Sequence, residues 1–84
     1  MTWKLTFTSS ARREITKLSP DVLKQIQGDL AKLIEHPQEG KHLSGRYRGL
    51  RSWRSGDYRI LYGIRPAKGD LIVYRLAHRR EAYR

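Results

Sequence analysis

The second half of this sequence carries three residue types that can handle a phosphodiester: arginine, histidine and tyrosine. Arginine recurs at Arg46, Arg48, Arg51, Arg54, Arg59 and Arg65, and Asp57 is the only acid between the first and last of these. A guanidinium stays charged and presents a rigid donor fork that matches phosphate bidentately. Strands carrying that much unmatched positive charge repel one another unless an anion is expected. A second group follows at 77–84, reading A-H-R-R-E-A-Y-R. It brings an imidazole (His78), a guanidinium (Arg79) and a phenol (Tyr83) close together in sequence. Imidazole exchanges protons near neutral pH. Tyrosine stacks on a base or donates a hydrogen bond. The chemistry these types support is grip on an anion, with RNA phosphate the best fit, and proton exchange by the imidazole. The candidates are Arg59, Arg79, Tyr83, Arg54 and His78, with Arg48, Arg51, Arg65 and Arg75 as a supporting RNA-binding surface. The plain alternative for Arg59 is a salt bridge to Asp57 or Asp70.

Other chemistries find no support. There is no cysteine, so disulfides and thiolate metal sites are excluded. No Gly-rich phosphate loop, H-E-x-x-H motif or paired-carboxylate pattern is present. His36, His42 and His78 are scattered, and neither a metal site nor a cofactor is expected.

Charge points the same way. The net charge is +10, from 18 Lys+Arg against 8 Asp+Glu. Glu14, Asp21, Asp29, Glu35 and Glu39 fall in the first half, whereas only Asp57, Asp70 and Glu81 follow Gly40, where most of the arginines lie. Such asymmetry predicts a segregated basic face and a polyanion partner. No stretch approaches the roughly 20 apolar residues of a membrane span, and Met1-Thr2-Trp3-Lys4 opens no signal-peptide pattern. A cytoplasmic protein with no membrane partner is expected.

The elements that must position these residues read in order. Trp3-Lys4-Leu5-Thr6-Phe7 alternates with period two and predicts a strand with Trp3, Leu5 and Phe7 facing the core. Thr8-Ser9-Ser10 supplies N-cap residues, and Ala11, Ile15 and Leu18 share a helical face. Ser19-Pro20-Asp21 is a second helix start, with Ser at N-cap, Pro at N1 and an acid in the first turn. Val22, Leu23, Ile26, Leu30, Leu33 and Ile34 then form one apolar stripe, and Pro37 ends the helix near His36. Gly28 lies inside this helix, where close packing against the first helix is the usual reason. Residues 38–42 read as a connection, and 43–49 as either loop or strand entry.

Around Gly49–Ile64 the sequence reads as two strands joined at Ser55-Gly56-Asp57. Parity places Arg59 and Leu61 on one face of the outgoing strand and Tyr58, Ile60 and Tyr62 on the other. The apolar set suits the helices, which leaves Arg59 on the open side. Likewise Arg48, Ser52 and Arg54 share a face opposite Arg51 and Trp53. Pro66 to Asp70 is a second turn, and Leu71–Ala77 a last strong strand. Residues 78–84 form a frayed tail or a short helix. With 84 residues the chain makes one small domain. The predicted class is α+β: a small antiparallel sheet with an N-terminal helical hairpin on one face, in the order β-α-α-β-β-β.

Four segments resemble the RelE/ParE superfamily of toxin–antitoxin toxins: F-T-x-x-A-R-R-E-I-x-K-L at 7–18, L-x-G-x-Y-R-G-L-R at 43–51, R-S-G-D-Y-R-I-L-Y at 54–62 and H-R-R-E-A-Y at 78–83. Together they span essentially the whole chain as one toxin domain. The resemblance implies the RelE-like microbial RNase fold and one of two activities. RelE-like members are ribosome-dependent mRNA endonucleases (mRNA interferases) acting in the ribosomal A site. ParE-like members inhibit DNA gyrase without nuclease chemistry. Both are neutralised by a cognate antitoxin, acidic or amphipathic, in a hetero-oligomer. The match at Arg59, Arg79 and Tyr83 favours the RelE branch. It implies that Arg59 holds the scissile phosphate, Arg79 supports the phosphate and leaving group, and Tyr83 stacks on a base. His78 precedes that arginine where relatives also carry a basic or imidazole side chain. The chain departs from the RelE archetype where two lysines would precede the turn, at Leu50 and Ser52. Arginine, with a pKa above about 12, is a poor general base. A further alternative is an antitoxin-binding module without activity.

Overall fold

The computed structural model describes residues 3–82. β1 (Lys4–Phe7) leads into α1 (Ser9–Thr16) and α2 (Pro20–Glu35). A single 3-10 turn, Pro37–Glu39, brings the chain to a two-residue strand, β2 (Lys41–His42). A second 3-10 turn (Gly45–Tyr47) precedes β3 (Arg51–Ser55), β4 (Tyr58–Arg65) and β5 (Asp70–His78). The five strands form one sheet in the order β1-β5-β4-β3-β2.

Local chemistry explains the helix limits. The Thr8 side chain accepts from Ala11 N and starts α1, and the Ser19 side chain accepts from Val22 N and starts α2. Pro20 occupies the first turn of α2, where its missing N–H costs no hydrogen bond. The predicted stripe supplies Ile26, Leu30 and Leu33, which pack on Ile60, Tyr62, Leu71, Val73 and Leu76 of the sheet. Gly28 departs from its predicted role, since a Cβ built there meets nothing within 4 Å.

The sheet is mixed. β2, β3, β4 and β5 pair antiparallel, but β1 joins the outer edge of β5 in parallel, with Lys4 opposite Asp70 and Phe7 opposite Val73. Strand direction is not encoded in alternation, and a parallel pair needs a long connection, which the helices and inner strands supply. β1 stops at Phe7, and α1 then covers the rest of that edge: the Leu76 N–H, beyond the reach of β1, donates to Glu14 Oε1 at 2.9 Å. α1 thus packs along β5.

Two further features position the site. β5 carries a bulge, because Leu61 pairs with Arg75 while Tyr62 pairs with Val73. The face away from the helices is also not bare. Leu61 and Ala77 are buried there, and Leu50, Ile72 and Tyr74 crowd around Gly63. The segment expected as loop or strand entry at 43–49 contains the second 3-10 turn, and the connection at 38–42 contains β2. Residues 79–82 form turns, with no helix among the described residues.

Candidate nucleic-acid interface

The antiparallel register builds the site. Arg54 on β3 is the direct partner of Arg59 on β4, and Arg59 is the partner of Ala77 on β5. The next row toward the sheet centre reads Ser52, Leu61, Arg75. Directly opposed side chains share a face with Cβ atoms about 5 Å apart, and like charges in that arrangement destabilise a sheet. Arg54 Nε donates to Gly56 O at 3.0 Å. The closest partner of Arg59 is the Ser52 hydroxyl, at 3.5 Å from Nη1. Among the described residues neither arginine has a carboxylate within 4.0 Å. The salt bridges there are Arg65–Asp70 and Arg75–Glu14.

The remaining candidates divide. Arg79 follows β5 directly, and its N–H donates to Asp57 O at 2.7 Å, so it is tethered to the β3–β4 turn beside Arg54. Arg48 is exposed at the end of the second 3-10 turn. Arg46, within the same turn, lies over the Tyr47 ring, 5.1 Å from its centroid. Arg51 pairs with Tyr62, on the helix side of the sheet, and its Nη1 donates to the carbonyls of Gln38 and Gly40 at 2.9 Å each. Arg65 closes the β4–β5 turn on Asp70, with Nε–Oδ1 at 2.8 Å and Nη2–Oδ2 at 2.5 Å. Arg75 donates to Glu14 Oε2 from both Nε (3.1 Å) and Nη2 (2.9 Å). These three guanidiniums therefore have structural partners, whereas Arg54, Arg59 and Arg79 flank one turn.

His78 is not brought to Arg59. It pairs with Tyr58, one residue out of phase with the Arg59 row, and meets the Tyr58 ring edge-on with centroids 5.6 Å apart. It lines a small cavity with Lys17 and Leu18 from the helical segment. Tyr83 lies outside the described residues. No group of three or more His, Asp or Glu side chains among the described residues is placed to hold a metal ion.

Sequence reasoning put Ser52 on the Arg54 face but missed its burial and its contact with Arg59, and it missed the link from α2 to the turn. Gln25 Nε2 donates to Ser55 Oγ at 3.2 Å, and Ser55 Oγ donates in turn to Asp29 Oδ2. No spacing rule joins residues 25, 29 and 55. One signal was present for Asp70: it and Arg65 bracket a short turn as opposite charges. The Asp70 carboxyl also accepts from Thr6, and mainly through Arg65 it is held at about 2 from its ordinary 3.8.

Comparison with known proteins decides the family. Residues 5–83 match the family model described as the ParE toxin of the type II toxin–antitoxin system parDE. The chain belongs to the RelE/ParE superfamily of type II toxins. It is 35% identical over 88 aligned positions to the toxin RelG of Mycobacterium tuberculosis, covering 100% of this chain and 99% of that one. Its fold superposes on the M. tuberculosis RelBE2 toxin–antitoxin complex with a TM-score of 0.83 at 32% identity, over 93% of this toxin and 99% of that chain. It also superposes on the intact Escherichia coli RelBE complex with a TM-score of 0.78 at 26% identity, over 90% and 95% of the two chains. The toxin shares the α+β architecture of these structures, both of which are toxin–antitoxin complexes.

Proposed function

We propose that the toxin is a ribosome-dependent mRNA endonuclease that cuts in the A site by attack of the substrate's own 2′-hydroxyl on the adjacent phosphate. In this reaction the 2′-oxygen bonds to phosphorus, the 5′-oxygen leaves and takes up a proton, and a 2′,3′-cyclic phosphate remains. The observation that carries the reading is the opposed pair Arg54–Arg59, with no carboxylate partner among the described residues. A phosphate between them removes the repulsion, and the negative charge that grows on phosphorus in the transition state is stabilised further. In this reading Arg79, whose backbone is tethered to the same turn, neutralises the leaving oxygen. Similarity to RelG and to the toxin of the E. coli RelBE complex supports the same branch. The proposed setting is the cytoplasm, where translating ribosomes supply the mRNA.

A second reading is favoured by two observations. The matching family model is that of ParE. In addition, Leu50 and Ser52 carry no amine to act as general base, and Ser52 is buried. On this reading the basic face binds DNA gyrase and performs no chemistry.

Mapping mRNA 5′ ends after brief expression without antitoxin separates the two. New ends inside translated codons, lost in Arg59→Ala and when translation is stopped, are the expected result. Growth arrest with intact mRNA and inhibited gyrase supercoiling overturns the nuclease reading.

A further inference from the structure

The hydrogen bonds from α2 to the β3–β4 turn suggest a job for side chains far from the arginines in sequence. Ser55 is 1% exposed, and its hydroxyl is held between Gln25 and Asp29, which lie one helical turn apart on the same face of α2. Gln25 also lies directly against Gly56, so that a Cβ there would collide with its amide. Gly56 has φ 61°, a left-handed conformation that glycine adopts freely. The helix therefore fixes this turn by a hydrogen-bonded hydroxyl on one side and a close contact on the other. From the same turn, Ser55 to Tyr58, the arginine cluster is hung. Gly56 O accepts from the Arg54 side chain, Asp57 O accepts from the Arg79 backbone, and Ser55 pairs with Tyr58, which precedes Arg59.

We infer that Asp29 and Gln25 are positioning residues that act through Ser55 to set the spacing of Arg54, Arg59 and Arg79. Neither reaches the phosphate site itself. Asp29 orients the Ser55 hydroxyl, which locks the turn, and the turn carries the two carbonyls that hold Arg54 and Arg79. The link to cleavage rests on the nuclease reading above, whereas the link to arginine geometry does not. The cost of losing it follows from the sensitivity of an oriented clamp: a displacement of about 1 Å lowers rate up to about 100-fold.

The test compares Asp29→Ala, Ser55→Ala and Gln25→Ala with the conservative Asp29→Asn, which keeps an acceptor for the Ser55 hydroxyl. Thr6→Val serves as control, because it loses a side-chain hydrogen bond at the opposite end of the sheet. Cleavage of mRNA on programmed ribosomes is measured in single turnover, well below each variant's melting temperature. The expected result is a maximal rate lowered about 10-fold or more in the alanine variants, with half-saturating ribosome concentration unchanged and most of the rate restored in Asp29→Asn. A full rate in folded Asp29→Ala and Gln25→Ala overturns the inference. So does a loss matched by Thr6→Val at equal stability. If the wild-type toxin cuts nothing, the nuclease reading fails, and the inference is read instead from nitrogen–proton NMR. Movement of the Arg54 Nε–H and Arg79 amide signals in Asp29→Ala but not in Thr6→Val supports it, and unmoved signals overturn it.

Discussion

Arg54 and Arg59 face each other across β3 and β4, and the sheet keeps them there against their own repulsion. That placement makes a specific prediction. Arg59→Ala should lower mRNA cleavage by about 100- to 1,000-fold, the usual loss when one charge-stabilising donor is removed. The same substitution should leave the melting temperature equal or higher, since it relieves a like-charge contact. Both are read from single-turnover cleavage and thermal unfolding of the same preparation. Tyr62 shows the opposite kind of residue, one whose polar atom is structural. Its buried hydroxyl donates to Pro37 O at 2.6 Å and accepts from Gly40 N at 2.9 Å, tying the segment after α2 to the sheet. Burial pushes its pKa up, so it stays a neutral donor. Tyr62→Phe leaves both backbone groups unpaired, and urea unfolding should show a loss of about 1–3 kcal/mol. Tyr62 was read in sequence as an inward-facing aromatic, but its bonding partners lie 22 and 25 residues away and no local pattern names them.

At the scale of elements, the helices were legible because their signals are local. Ser19-Pro20-Asp21 marks the start of α2 by chemistry that acts within one turn, and the stripe through Ile26, Leu30 and Leu33 follows the helical period. Gly28 breaks the pattern without a packing reason, so Gly28→Ala should stabilise the toxin by about 0.5–1 kcal/mol, measured by urea unfolding. The parity argument for β4 also held, with Ile60 and Tyr62 in the core that faces the helices. It stopped short at β5, where the bulge near Tyr74 shifts the register by one residue. A bulge is a choice of the paired strands, and the sequence of one strand does not announce it.

For the whole molecule, charge and edge closure set the behaviour. The +10 net charge predicts RNA binding that weakens steeply with salt for any sequence, so ribosome context has to supply selectivity. Asp70 joins three strands, accepting from Thr6 on β1 and Arg65 on β4. Its folded pKa of about 2 lies below the ordinary 3.8. A depressed carboxyl contributes its stability fully above the unfolded value and loses it as pH falls toward the folded one. Urea midpoints should therefore drop between about pH 4 and pH 2, and Asp70→Asn should flatten that part of the profile.

What the sequence determined by itself was whatever short-range chemistry enforces: the helix caps, the apolar stripe, the Gly56 turn and an excess of arginine over acid after Gly40. Those forces act within a few residues, so type and spacing suffice to read them. Only the tertiary structure decided which arginines are spoken for. Arg51, Arg65 and Arg75 look like Arg54 and Arg59 in sequence, yet strand register delivers them to a pair of backbone carbonyls, Asp70 and Glu14, whereas Arg54 meets one turn carbonyl and Arg59 one hydroxyl. The parallel placement of β1 and the Asp29–Ser55 link were likewise decided there. Pairing across a sheet joins residues tens of positions apart, and its energy depends on the packed whole rather than on any one stretch of chain.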